Sequence, residues 1–315
     1  MNSEVRTVRF APGVRVLRRD ESTIQFGVDA TRSGAINVPA DQALAVFERA
    51  HDPIDVEDLV SSCADLDGMT PTSARELIDD LVAYRILVPA VSHRVLLLGR
   101  SALAGQIASA LQALGISVRM PVSGETIAGF LDRTDSDAPI LIVDQLADTP
   151  QISRMLTFHT GWRIPVATVD ARVRVGPLSY GPHGPCPMCA HLADTAHDEQ
   201  WHNISVSAAA TPARLDPSVV LSGAMLATVI TRRILGIPDP PGVAAPAPVP
   251  GHVFTADPFG MPMVTQRLDH PHPLCPVCFL RHSPTAQTET DQTDTAQTET
   301  DHSRNGARTA RTSSP

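Results

Sequence analysis

Along the first ninety residues the apolar positions change their period. Val5–Leu17 and Thr23–Val28 alternate apolar with polar side chains, and a two-residue period predicts strands. Arg32-Ser33-Gly34 predicts a turn, and Ala35–Val38 predicts another short strand. From Pro39 the spacing becomes helical, with Ala43, Leu44, Val46 and Phe47 on one face. Asp55 is placed to cap a second helix carrying Val56, Leu59 and Val60. Thr70-Pro71 opens a third, with Ala74, Leu77, Ile78, Leu81 and Val82 on one side. Arg85–Pro89 predicts a closing strand. Strands, three helices and a strand give the order of a winged helix, so residues 1–90 are expected to form one such module.

From His93 the pattern is of another kind. Arg94–Gly99 is a continuous apolar run ending in glycine, the mark of a buried strand. A helical pattern follows over Ser101–Leu114, then a strand over Ile116–Met120. Pro139–Asp144 and Ile164–Val169 predict further strands, separated by a helix through Ile152–Phe158. Alternating strands and helices predict a doubly wound α/β fold with a parallel sheet over residues 91–282. Leu221–Leu235 predicts a late helix, and Gly236–Pro250 a proline-rich loop. From Ser283 to the end the chain repeats Ala-Gln-Thr-Glu-Thr-Asp and holds nothing to build a core, so 283–315 is expected to be a disordered tail.

Composition then removes several functions. The net charge is −9 over 315 residues, which argues against a general electrostatic grip on nucleic acid. The third predicted helix agrees: Arg75 is its one basic residue, against Glu76, Asp79 and Asp80. A winged helix of this kind is left as a peptide-binding or a plain packing module. No apolar run reaches membrane-spanning length, and the first ten residues lack the apolar core of a signal peptide, so a cytoplasmic protein is expected. All 25 basic residues are arginine. No Schiff-base, Walker-type or general-base lysine can exist here.

Candidate chemistry concentrates in the cysteines. Cys186-Pro-Met-Cys189 and Cys275-Pro-Val-Cys278 are two C-x-x-C pairs, and Cys63 stands alone in the first module. In a reducing compartment two such pairs predict a tetrathiolate metal site that clamps distant segments, with zinc as the expected ion. Four thiolates leave no open position, so that zinc would be structural. Two redox pairs are the competing reading, but the proline-rich flanks do not resemble a strand-to-helix redox motif. His183, His191, His197, His202, His270 and His272 flank the pairs and are expected to stay off the metal. A dinucleotide-type turn would need G-x-G-x-x-G after the first strand. Here Gly99 is in place, Ser101 stands where backbone should approach phosphate, and Gly105 is one position late. Glu125 is the nearest acid for a ribose and lies beyond the second strand. Gly99 and Ser101 therefore look vestigial, and ATP is not an expected cofactor.

These pieces together resemble a known family. Val175-Gly176-Pro177-Leu178, then Gly181-Pro182-His183-Gly184-Pro185 leading into the first cysteine pair, is similar to the entry to the zinc site in ThiF-type proteins of the ubiquitin-activating-like fold. His191-Leu192-Ala193-Asp194 and Asp198-Glu199-Gln200-Trp201 share the likeness, and His270-Pro-His-Pro-Leu-Cys275 resembles the second zinc half. The closer resemblance is to the ThiF-like leader-peptide-binding proteins of azol(in)e-peptide, or bacteriocin cyclodehydratase, biosynthesis. It covers about residues 5–282.

Active members of that fold adenylate a peptide C-terminus with a glycine-rich loop, an arginine, a lysine and a metal-binding aspartate. Asp144 is the one match for that aspartate, and it equally fits a loop cap. The missing lysine and broken glycine motif imply a pseudoenzyme. The resemblance then implies a scaffold that binds the leader of a precursor peptide and presents it to a YcaO-type cyclodehydratase. An adenylyltransferase of the same fold is the alternative. The implied binding mode is strand addition, with Thr23, Ile24, Gln25 and Phe26 on the strand and Leu77, Leu81 and Tyr84 on the third helix. A peptide, a YcaO-type enzyme and a second copy in a homodimer are the implied partners; membrane and nucleic acid are not.

Overall fold

The computed structural model describes residues 6–282, apart from 30, 31, 33, 212 and 244. The expected tail over 283–315 lies outside the described residues. By contact density the chain falls into two compact units. One gathers Met1–Arg94 with Ser109–Val118 and Thr228–Pro248; the other gathers Val95–Ala108, Arg119–Ala227 and Val249–Pro315.

In the first unit, β1 (Thr7–Phe10), β2 (Val16–Asp20), β3 (Thr23–Phe26) and β4 (Ala35–Asn37) come first. The single strand expected over Val5–Leu17 is two. Pro12 lacks a ladder donor and Gly13 turns with φ +87°, so β1 and β2 enter different sheets. Three helices follow, α1 (Ala40–Glu48), α2 (Val56–Ala64) and α3 (Pro71–Ala83), with β5 (Ile54–Asp55) ahead of α2 and β6 (Leu87–Pro89) after α3. The caps are those the sequence predicts. Asp55 accepts from the Glu57 amide, and Thr70 and Ser73 form a reciprocal capping box. The strands make two three-stranded sheets, ordered β2-β3-β4 and β5-β1-β6. Their inward residues, Val8, Phe10, Ile24 and Phe26, meet Phe47, Leu59, Ile78 and Leu81 in one core. Phe26 and Phe47 pack edge to face at 5.1 Å.

The rest of the chain runs β7 (Arg94–Leu98), α4 (Ala102–Ala113), β8 (Ser117–Arg119), α5 (Ile127–Leu131), β9 (Ile140–Val143), α6 (Thr149–Met155), β10 (Trp162–Val169), β11 (Arg172–Val175) and β12 (Ser179–Tyr180). Then come α7 (Pro187–His197), α8 (Trp201–Ala210), α9 (Pro217–Ile234), β13 (His252–Ala256), β14 (Val264–Leu268) and α10 (Pro276–His282). Eight strands form one sheet in the order β14-β13-β11-β10-β9-β7-β8, with β12 also on β10. The expected parallel sheet is in fact mixed. β7, β9 and β10 are parallel, and β9 is buried along its whole length as a central parallel strand must be. Beyond β10 every pairing is antiparallel. The cause is the turn at Asp170-Ala171: Val169 pairs with Arg172, and Asp170 takes φ +54°. A two-residue connection has no room for a crossover helix, so the chain must fold back as a hairpin. Likewise α6 ends at Met155, short of the helix expected to Phe158, and Phe158 is exposed.

Candidate metal centre

The stretch from the end of β11 to α7 delivers the first cysteine pair. Gly176 and Gly184 are needed there because the chain runs tightly against Pro250–His252. A Cβ on Gly176 would fall 2.4 Å from the His252 carbonyl oxygen, and one on Gly184 would fall 2.7 Å from the Pro250 side chain. The Leu178 amide donates to His252 O at 2.9 Å, and the Gly251 amide donates back to Leu178 O at 2.7 Å. Cys186 is the N-cap of α7 and Cys189 lies in its first turn. Cys275 and Cys278 repeat this arrangement at the start of α10, where Pro276 again opens the helix.

The four sulfurs meet. Cys186 Sγ lies 3.5 Å from Cys275 Sγ, 3.6 Å from Cys278 Sγ and 3.8 Å from Cys189 Sγ, and Cys189 Sγ lies 3.4 Å from Cys278 Sγ. All four lie within 4.8 Å of one another, are buried, and form no disulfide. Four thiolates on a tetrahedral zinc with ~2.3 Å bonds would stand about 3.8 Å apart, so the residues fit a metal ion of that kind. Among the described residues no histidine or carboxylate joins the group. Without a cation the cluster cannot ionise evenly. Hydrogen bonds to Cys189 and Cys278, then burial, push the Cys186 thiol up, while hydrogen bonds from Cys186 and Cys189 hold Cys278 down. Cys63 takes no part: it is buried in the first core, and desolvation pushes it up to about 11.

The scaffold around the cluster is polar and tied. Arg174 on β11 forms a two-pronged bond to Asp194 on α7, at 2.9 and 2.7 Å, with both side chains largely buried. Asp194 belongs to the family-like stretch after the first cysteine pair, and this bond fixes α7 to the sheet. His191 and Asp194 also line a pocket with Gln145, Thr149, Val166 and Trp201. Sequence reasoning missed Arg174, because nothing about an arginine on a short strand announces a partner on a later helix.

The residues expected to be a vestigial nucleotide turn are brought together and used internally. Gly99 has φ +134°, and a Cβ there would fall 2.3 Å from the Val143 carbonyl oxygen. Packing of β7 against β9 therefore demands this glycine, with no phosphate involved. The Ser101 hydroxyl hydrogen-bonds the Asp144 carboxylate and also accepts from the Ala104 amide at 3.2 Å. The second Asp144 oxygen accepts from the Thr168 amide at 2.7 Å. Both carboxylate oxygens thus tie neighbouring strand ends, with Asp144 itself at φ +52°. Glu125 is occupied too, accepting from Arg133 and from the Val122 amide, and these bonds hold its carboxyl below the usual range.

The residues expected to meet a peptide divide into three sets. Ile24, Phe26 and Leu81 are buried in the first core; Thr23, Gln25 and Leu77 are half-buried, and Tyr84 is 70% exposed. The strand bearing Thr23–Phe26 is the middle one of its sheet, paired on both sides. The open edges belong to β2 and β4. At the β4 edge, a Cβ on Gly34 would lie 3.9 Å from Ile86, just beyond the end of α3.

No protein-family model matches the chain, and no curated protein matches it. Its fold is similar to those of solved structures, three of which follow. One is a chain of the E. coli microcin synthetase McbBCD complex with pro-MccB17 bound, at TM-score 0.56 and 11% identity, covering 86% of this chain and 99% of that one. Another is the heterocyclase TruD, at TM-score 0.51 and 14% identity, covering 87% of this chain and 43% of that one. The third is a heterocyclase in complex with substrate and cofactor, at TM-score 0.50 and 13% identity, covering 87% and 39%. This chain spans less than half the length of either heterocyclase chain. At these identities the likeness is one of fold. Among the described residues no helix is long and apolar enough to cross a membrane.

Proposed function

We propose that this chain is a non-catalytic scaffold of peptide natural-product maturation. Its first ninety residues, a winged-helix-like module, hold the leader of a precursor peptide. The ThiF-like remainder is clamped by a structural zinc on Cys186, Cys189, Cys275 and Cys278, and presents the peptide to a YcaO-type cyclodehydratase. The observation that carries the non-catalytic half is the closed Ser101–Asp144–Thr168 arrangement. A carboxylate faces the helix start where a triphosphate would have to lie, its oxygens are already bonded, and no lysine exists to offset the charge. An adenylyltransferase would have to break this arrangement before binding ATP. The solved structures of like fold are named as heterocyclases and a synthetase with a pro-peptide bound, which agrees with the reading.

The leader would enter at β4, not at the strand the sequence pointed to. The Phe26 amide donates to Gly34 O, so with alternating register Ile24 and Ile36 exchange bonds across β3 and β4. Ala35 and Asn37 then turn their amide and carbonyl groups outward. An extended peptide pairing there would run beside α3, where Leu77 and Tyr84 offer apolar surface. The test is anisotropy titration of labelled peptides taken from short reading frames beside the gene. Ala35→Pro removes an outward amide and leaves the inward ladder whole, and it should weaken binding at least about tenfold while the circular dichroism spectrum is kept. Equal binding by wild type and Ala35→Pro would contradict strand addition.

A further inference from the structure

Two arginines close on the loop that leads into the first cysteine pair. Arg163, in β10, is only 1% exposed. Its Nε donates to Ser179 Oγ at 3.0 Å, its Nη1 to His159 O at 2.7 Å and Leu156 O at 3.4 Å, and its Nη2 to Gly181 O. Arg281, in α10 and half-buried, donates from Nη2 to Pro182 O at 2.9 Å and Gly184 O at 3.4 Å. The same Nη2 lies 3.9 Å from Cys278 Sγ, and the Nε and Nη1 atoms of Arg281 are buried with no partner. Each hydrogen-bonding oxygen is neutral. Among the described residues neither arginine has a carboxylate partner.

A guanidinium stays charged, and burying one without an anion is strongly unfavourable. Two in the same corner also repel one another. The groups whose negative charge, once ionised, would favour the Arg163 cation are the Cys186 and Cys278 sulfurs. Four neutral thiols would offer no compensation. Four thiolates around a divalent ion carry a net charge of minus two, which matches the two arginines.

We propose that Arg163 and Arg281 are the counter-charge of a divalent tetrathiolate centre, with Arg281 also donating an N–H to the Cys278 sulfur. They are positioning residues: both hold the loop, and Arg281 also touches a ligand sulfur, but neither touches the ion. The inference rests on the metal reading above and adds the residues that set how tightly the ion is held. It also explains why two unpaired cations are kept beside buried cysteines.

The test is metal analysis of the purified full-length chain, followed by competition for the ion with a chromophoric chelator. Cobalt substitution is run in parallel, so that the thiolate-to-cobalt absorption reports whether all four ligands remain. Arg281→Gln should hold zinc about 10- to 100-fold more weakly with the four-thiolate cobalt spectrum kept, and Arg281→Lys should recover most of the loss. Arg163→Met should weaken binding in the same direction; if it fails to fold, the Arg281 pair still decides. Wild-type retention by Arg281→Gln would overturn the proposal while leaving the metal site standing. So would an Arg281→Lys as weak as Arg281→Gln, since shape and not charge would then be at work. A wild-type chain that binds neither zinc nor cobalt would overturn both the metal reading and this one.

Discussion

Cys189 and Cys278 are 89 residues apart in sequence, yet their sulfurs lie 3.4 Å apart. Everything between them, from α7 through β14, is therefore closed into one loop by the cluster. Cys278→Ala should lose the ion and lower the thermal midpoint by about 10 °C, since a structural zinc is worth several kcal/mol and each shifts a domain of this size by ~2–4 °C. Chelator treatment of wild type should give the same shift. Scanning calorimetry with and without chelator checks both, and an unmoved midpoint would show that the cysteines merely pack.

The Arg174–Asp194 bond holds α7, and with it two of the four clustered cysteines, against β11. Asp194→Ala strands a largely buried guanidinium and should cost about 3 kcal/mol in urea unfolding. Replacing both residues with leucine should cost less than the two single changes together. Additive losses would mean that the pair is not coupled.

Gly223, in α9, sits directly on Val173. A Cβ there would fall 2.4 Å from Val173 Cγ2 and 2.7 Å from its Cβ. Gly223→Ala should therefore destabilise by about 2 kcal/mol despite alanine's better helix propensity. Adding Val173→Ala should return part of that loss, because the clash is with the valine itself. Urea unfolding of the three variants decides it.

His159 is 7% exposed beside Arg163, and burial, followed by the Arg163 charge, lowers it from 6.5 to about 4. The folded state holds this imidazole neutral while the unfolded chain takes up a proton below pH 6.5. Its contribution is thus complete above pH 6.5 and is lost as the pH falls towards 4, by about 3 kcal/mol in all. His159→Gln should flatten that part of the stability profile between pH 7.5 and 4.5. An unchanged slope would place the titration elsewhere.

The sequence carries some of this plainly. The caps at Asp55 and Thr70 and the two C-x-x-C pairs can be read because each is a local pattern with a local cause. The antiparallel half of the sheet cannot be read so easily. β14 is exposed along its whole length, so no alternation marks it, and the direction of β11 depends on a two-residue turn at Asp170. That the strand read as the peptide edge is the central one is hidden for a related reason. Ile24 and Phe26 alternate strongly because their strand is central and buried, whereas the open edge, β4, is short and weakly patterned. Arg163 is silent in sequence because its partners are carbonyls brought in by the fold.

The central claim is that this fold binds peptide without activating it. The most direct measurement is pyrophosphate exchange by the zinc-loaded full-length chain with Mg²⁺-ATP and candidate peptides, with calorimetric titration of Mg²⁺-ATP alongside. The account predicts no exchange and no heat of nucleotide binding, since Ser101 and Asp144 already occupy one another. Exchange that depends on the peptide would contradict it and make the chain an adenylyltransferase.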